Sequence, residues 1–530
     1  MKFFLFFLVL FFLGRSLLII FNKFKSIDEI KIFNLNIYIF YPVFGLIFLG
    51  NYLFIFNFFL PIGNNLVYIF LLLLFANFLS LPKITVLKTC LKNFPLYVLF
   101  LVPSYNISYN YDAGLYHLGF QTLLRQNNII LGTSNIYGPF GVSSIYDYIS
   151  SILWFDETFV YFQFLNLIFI IFLYEFLLNS IKSKDQILKN ITLSLIIFSI
   201  LDNFGIEGGR NGFIYFQGLG KQDIALAVLF LLVSIFIFFS LNNDKLSKIE
   251  LSTITILSIF IVQLKISGSP IILFYLYFLY KTSKENKINF AMFSMFISSF
   301  IVVALWVFKS ILQTGCIIYP LVQSCFENFD WTNIEYIEAT RDSAVMFSNS
   351  YNFGSSFFEW LSSYFDQQIN YVIIGNFFIS FLVIRFIFFK MKNQNKIKFT
   401  KHFYVLIFLS LLFYLYYGPD SRYLIGLQML LVSTISFSFI NRFYFNDRIL
   451  VSLIMISAIS LIRLDSYRSF DFFYHPRNDI PVPEIINFSG RTIPKVGDQC
   501  WAEINCSANR FEYEIKSLEY NKKVILEKLD

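Results

Sequence analysis

The chain has 530 residues, of which 57% are hydrophobic and only 14% charged, and its mean hydropathy is +0.64. A soluble globular chain carries roughly a quarter charged residues, so the composition excludes a soluble domain. The net charge of +7 is scattered through short connections between apolar runs, a pattern that orients membrane helices and gives no nucleic-acid surface.

The first apolar run goes from Phe3 through Arg15 to Phe21 and has no small-x-small cleavage site, so it reads as a first span and not as a signal peptide. Residues 36–60, 223–241, 289–308 and 402–417 are further apolar runs, each close to the ~20 residues that cross a bilayer as a helix. Lysine clusters separate the runs: Lys23, Lys25 and Lys31; Lys83, Lys88 and Lys92; Lys182, Lys184 and Lys189; Lys245 and Lys248; Lys281, Lys284 and Lys287; Lys390 to Lys401; and more weakly Arg442 and Arg448. Placed on the cytoplasmic side, they predict about fourteen spans with the N-terminus outside. The segments 105–158, 203–221, 265–268, 309–370, 418–421 and the tail from 464 then face outward. The runs at 250–264 and 269–280 are short and read as tilted spans or as a hairpin. The two long outer segments and the tail, rich in Tyr, Asn, Asp and Ser, predict a modest outer cap. The 72 Phe and 33 Tyr are spread along the chain and read as compositional bias, not as a ligand cage.

Ionisable residues at the ends of apolar helices are costly and often functional. Asp112 and His117 in YDAGLYHLGF (111–120) follow the run at 94–104. Arg210 and Lys221 frame GGRNGFIYFQGLGK (208–221), which lacks the spacing of a phosphate-binding loop. Lys265 interrupts IVQLKISGSP (261–270), and Asp420 and Arg422 lie in YGPDSRYL (417–424). The charge count places all seven at one face, and four are basic, which suits a bound anion such as a lipid phosphate or diphosphate. Each has a simpler reading. Asp112 caps a helix; His117 is an interfacial side chain; Lys265 snorkels to the headgroups; Arg422 pairs with Asp420 across a tight turn. On an α-helix starting at Tyr111, Asp112, Tyr116 and Gly119 share a face while His117 points about 140° away.

Cys500 and Cys506 (in CWAEINC) and Cys316 and Cys325 fall in predicted outer segments, while Cys90 falls inside. Outer surfaces permit disulfides and the cytosol disfavours them, so Cys500–Cys506 and Cys316–Cys325 are the expected pairs. His475 is the one histidine near them and no C-x-x-C occurs, which argues against zinc.

Five stretches recur in order and carry a resemblance: residues 111–147, from YDAGLYH to SSIYD; LKISGSP (264–270); TGCIIYP (314–320); GPDSRYLIG (418–426); and GDQCWAEINC (497–506). Together they resemble a group of bacterial polytopic membrane proteins related to the GT-C superfamily of glycosyltransferases. In that group a His or Arg would be expected nearer IYGPFG, where Tyr137 and Pro139 stand here. The resemblance implies an all-α, GT-C-like bundle with additional helices in 1–93, a core in 94–463 with outer loops 105–158 and 309–370, and a small outer region in 464–530. It implies an inverting transferase in the bacterial inner membrane, with its active face outside in the periplasm. The enzyme would move a sugar from a polyprenyl-phosphate donor to a glycan or lipid acceptor. Asp112 would be the base and His117 a helper. Tyr116, Arg210, Lys221, Lys265, Asp420 and Arg422 would contact substrate. Some GT-C enzymes hold a divalent cation at the early acid, so metal use stays open. A lipid-linked oligosaccharide polymerase or ligase is the alternative, though Arg341 is the one arginine in 309–370. A transporter would show internal repeats, and none is visible.

Overall fold

A chain this apolar can satisfy its backbone hydrogen bonds within a membrane only by coiling on itself, and it is helical almost throughout. The computed structural model describes residues 2–22, 27–78, 81–102, 109–154, 163–208, 221–285, 287, 290–348, 357–389, 400–417, 421–437, 447–460, 480–488, 491–503, 506, 513–518 and 522–527. In chain order the helices are α1 (Lys2–Asn22), α2 (Tyr41–Phe56), α3 (Asn65–Phe78), α4 (Ile84–Leu101), α5 (Leu118–Gln126), α6 (Ile145–Ser151), α7 (Gln163–Lys182), α8 (Gln186–Phe204), α9 (Asp223–Asn242), α10 (Lys248–Leu264), α11 (Ile271–Lys284), α12 (Phe290–Thr314), α13 (Ile334–Ser348), α14 (Phe357–Asp366), α15 (Gln368–Phe389), α16 (Thr400–Tyr417), α17 (Ile425–Phe437) and α18 (Asp447–Ser460). Three two-stranded antiparallel hairpins complete the described chain: β1–β2 (Lys31–Ile32, Leu35–Asn36), β3–β4 (Ile485–Phe488, Arg491–Pro494) and β5–β6 (Tyr513–Leu518, Lys522–Glu527).

The protein is an all-α membrane protein in outline, but the expectation of about fourteen spans is corrected. Among the described residues, eight helices are long and apolar enough to cross a membrane: α1, α2 with the 3-10 turn before it, α4, α7, α8, α9, α12 and α15. Counting apolar runs between lysine clusters treats each run as a crossing. Among the described residues several are shorter: α11 and α18 have 14 residues each, and α17 has 13. The expected hairpin is present as α10 and α11, joined through the single turn Ile266–Gly268 with Lys265 at its tip. The segment 309–370, expected as a loop, is largely helical, and α12 carries Lys309 within it.

Two helices make the centre. The spanning windows of α7 and α9 are buried along their whole length. Both are apolar on every side, which places a helix inside a bundle and not at its edge. The helices α2 and α4 pack on α7, and α7, α10, α11 and α17 surround α9. The closest approach is α1 against α2. A Cβ on Gly14 would collide with the Tyr41 carbonyl, and one on Gly45 with Leu10, so small residues let the two backbones meet. Hydroxyl pairs stitch the bundle crosswise: Ser194 to Ser436 (2.6 Å), and Ser457 to both Tyr174 and Ser199 (2.8 Å each).

Buried charge is concentrated at defined ties. Arg15, inside α1, reaches Asp28 with two parallel hydrogen bonds (2.9 and 2.8 Å). Asp28 also accepts from the Tyr41 hydroxyl and the Lys83 backbone N–H, both at 2.8 Å. On α7, Glu175 accepts from Asn93 (2.7 Å), Tyr97, Tyr38 and Asn179. The lysine-rich connections gather at this end of the bundle. Glu250 accepts from the Phe33 N–H, Asp185 from Asn34, and Lys83 pairs with Glu29.

At the other end, residues 132–142 interlock with 315–341. Asn135 donates to the Trp331 carbonyl (3.0 Å), and the Tyr336 hydroxyl accepts from the Gly138 N–H (2.7 Å). Cys316–Cys325 and Cys500–Cys506 are paired as disulfides, as expected, and Cys90 is free.

Two measurements follow. Burial raises the Asp28 carboxyl, but Arg15, the Lys83 N–H and Tyr41 outweigh it and hold the group below the usual carboxylate range. A folded pKa below the unfolded one stabilises fully above about pH 4 and fades as acid protonates the carboxylate. Thermal melts in detergent should therefore show wild type more stable than Asp28→Asn at neutral pH, with the gap closing on acidification. Maleimide labelling of the denatured, unreduced protein should modify one thiol, Cys90, and all five of the chain's cysteines after reduction.

Candidate functional site

The stretch YDAGLYH does not fold as a plain α-helix. Tyr111 and Asp112 are helical, and Ala113–His117 then widen into a π-turn closed by the Leu118 N–H on the Ala113 carbonyl. Such single π-turns concentrate at functional sites. The expected cap is corrected. The Asp112 side chain makes no capping hydrogen bond, and Asn110 accepts from the Ala113 N–H instead (2.8 Å). Asp112 has helical backbone angles (φ −64°, ψ −24°), which aim its carboxylate away from the N–H groups a cap would take. The carboxylate is half-buried and, among the described residues, has no hydrogen-bond or ion-pair partner.

The π-turn also changes the α-helical spacing on which the 140° separation rests. His117 is buried, with Nδ1 3.0 Å from Asp147 Oδ1 on α6. Gln121 donates to the same oxygen (3.2 Å), and the Trp154 indole N–H donates to Gln121 (2.8 Å). The Ser144 hydroxyl caps α6 by accepting from Tyr146 and donates to the Leu264 carbonyl (2.6 Å), the residue before Lys265. Lys309, buried on α12, donates to Ser143 Oγ, and its ammonium lies 3.6 Å from the Trp306 ring centre. Asp147 and Lys309 are functional candidates that sequence reasoning missed. Asp147 closes the 111–147 stretch but has no spacing rule linking it to residues 30 positions earlier. Lys309 had a usable signal, a lone cation in an apolar helix.

Lys265 pairs with Asp223 at the start of α9 (2.9 Å), and its ammonium sits 4.1 Å from the Tyr423 ring centre. It is anchored by this pair and does not simply snorkel. Burial works against its charge, yet Asp223 and then Tyr423 raise the Lys265 amine above the ordinary lysine range. Arg422 and Lys221 act electrostatically on the same Asp223. Tyr116 joins the two halves of the site. Burial, then the charges of Asp112, Tyr423, Asp147 and Asp223, push its phenol well above its usual range. So Asp112, Tyr116, His117, Lys221, Lys265 and Arg422 lie at one end of the bundle within electrostatic reach of one another, directly or through Asp223 and Asp147. Arg210, Asp420 and His475 lie outside the described residues. No group of three His, Cys, Asp or Glu side chains among the described residues is placed to hold a metal ion.

The tail reaches this site. The Trp501 N–H donates to the Gly114 carbonyl (2.8 Å), Gln499 donates to the Tyr111 carbonyl (3.1 Å), and the Tyr111 hydroxyl donates to Asp498. A Cβ on Gly114 would stand 2.9 Å from the Trp501 ring, so glycine is what lets the indole seat. Trp501 has φ +52°, a strained value for a bulky residue, held by the adjacent Cys500–Cys506 bond and the contacts to the turn. Gly114→Ala should therefore unseat the loop, with faster trypsin cleavage after Lys495 and a shifted tryptophan emission in the intact protein.

No curated protein and no solved structure matches the chain. The family described as "Domain of unknown function (DUF8201)" matches residues 1–429. That range takes in the π-turn, Asp147, Asp223, Lys265, Lys309 and Arg422. By this match over most of its length, the chain belongs to the DUF8201 family.

Proposed function

We propose that the protein is a membrane glycosyltransferase that moves a sugar from a polyprenyl-phosphate donor to a cell-surface glycan or lipid acceptor, at the outer face of a bacterial inner membrane. One observation carries the reading. Asp112 is a half-buried carboxylate with no partner among the described residues, mounted on a π-turn at the end of the bundle that also holds Lys265. A partly exposed carboxylate without a partner is placed to take a proton from a bound hydroxyl.

In this reading the acceptor hydroxyl gives its proton to the Asp112 carboxylate as its oxygen bonds to the anomeric carbon. The bond from that carbon to the donor phosphate breaks, and the polyprenyl phosphate leaves with the electron pair. One displacement inverts the anomeric centre. Negative charge grows on the leaving phosphate and is met by cations already in place. Lys265, which pairs with Asp223, and Arg422 and Lys221, which act on the same carboxylate, are the cations of this end of the bundle. His117, fixed through Nδ1 by Asp147, holds one ring orientation beside the base. The resemblance to GT-C enzymes supports the same assignment of the early-loop acid. The polymerase or ligase reading would rest on Arg341, whose guanidinium pairs with its neighbour Asp342.

The test is transfer by purified protein from a polyprenyl-phosphate sugar pool, with the acceptor identified from the glycan missing in a deletion strain. Asp112→Asn should slow transfer by about a hundredfold or more while the melting transition stays in place. Full activity in Asp112→Asn removes Asp112 as base, and an intact glycan profile in the deletion strain removes the transferase reading.

A further inference from the structure

Between the tail and the π-turn lies a cavity of about 520 Å³, within the size range of small-ligand sites. Tyr111, Glu484, Gly497, Asp498, Gln499 and Trp501 line it. We infer that this cavity is a saccharide-binding site for a neutral, hydroxyl-rich acceptor, next to Asp112. The inference rests on the transferase reading for its role in catalysis, but the binding itself does not.

The polar chemistry is one-sided. Asp498 receives the Tyr111 hydroxyl on one carboxylate oxygen, and Glu484 receives Lys495 on one of its own (2.8 Å). Gln499 uses its amide nitrogen on the Tyr111 carbonyl. Each carboxylate thus keeps a second oxygen, and Gln499 its one amide oxygen, with no hydrogen-bond partner among the described residues. A carboxylate accepts and never donates, so the oxygens offered to the cavity are acceptors. They suit a ligand that brings hydroxyl donors; Lys495 offsets the Glu484 charge, and Asp498 disfavours a ligand that brings a phosphate. The Tyr111 phenol is pushed up to about 12 by its bond to Asp498 and keeps its proton at neutral pH. The apolar wall is Trp501, whose amphipathic ring is the kind of surface on which the C–H face of a pyranose stacks. Gly497 has φ +74° and nothing within 4 Å of where a Cβ would stand, so the rim beside these groups is open.

Position ties the cavity to the site. Tyr111 lines it and Asp112 is the next residue, and Tyr137 lies within electrostatic reach of both Asp498 and Asp112. Asp112 thus adjoins the cavity through Tyr111 and is linked through Tyr116 to the Asp223 and Lys265 pair of the bundle.

The experiment is full-length protein in nanodiscs against an immobilised panel of neutral, amino, sialylated and phosphorylated glycans. Wild type should retain neutral or amino glycans, with binding reduced about tenfold in Trp501→Ala. Asp498→Asn, which keeps the shape of the cavity, should weaken the same glycans by a smaller factor. The inference is overturned if no neutral or amino glycan distinguishes wild type from both cavity variants, or if the anionic glycans bind best. Transfer activity without such binding would sink this site and leave the transferase standing. Such binding without transfer would do the reverse.

Discussion

In an apolar interior an ionised side chain must bring its counter-charge or its hydrogen-bond donors with it, and that requirement fixes how this bundle is joined. Arg15 and Asp28 tie α1 to the segment before α2, and Lys83 adds the start of α4 to the same knot. Lys265 and Asp223 tie the tip of the α10–α11 hairpin to the central α9. His117 and Asp147 tie the π-turn to α6. Glu175 is satisfied without a cation, by amides and phenols from α4, α7 and the turn before α2. The apolar helices alone would pack in many registers, since lipid tails are as apolar as leucine. The polar ties choose among those registers.

The same ties give the candidate site its shape. The Lys265–Asp223 ion pair and the His117–Asp147 hydrogen bond hold its walls, and Asp112, which has no partner among the described residues, lies at the same end of the bundle. Around it stand the Lys265–Asp223 pair towards α9 and α10 and the Asp498 carboxylate towards the tail.

Much of this was legible in the sequence, and the illegible parts share a cause. The helical membrane class follows from composition, the cysteine pairs from their proximity along the chain, and Lys265 from its place at a run's end. These are local signals. The pairing of Asp147 with His117 spans 30 residues and that of Lys265 with Asp223 spans 42, and no periodicity links such partners. The π-turn was unreadable because hydrophobic spacing assumes α-geometry. The span count failed because charge alternation orders apolar runs without measuring whether each is long enough to cross.

The seat of Trp501 on Gly114 also sets an order of assembly. The hydrogen-bonded pair Tyr111 and Asp498 is separated by 387 residues. During synthesis the turn bearing Asp112 emerges early and stays uncovered while most of the protein is still being made. Its last wall arrives only when the loop closed by Cys500 and Cys506 folds back. Completion of the site is therefore a late event in biogenesis, and a ribosome that stalls before that loop releases a bundle whose central acid faces open solvent.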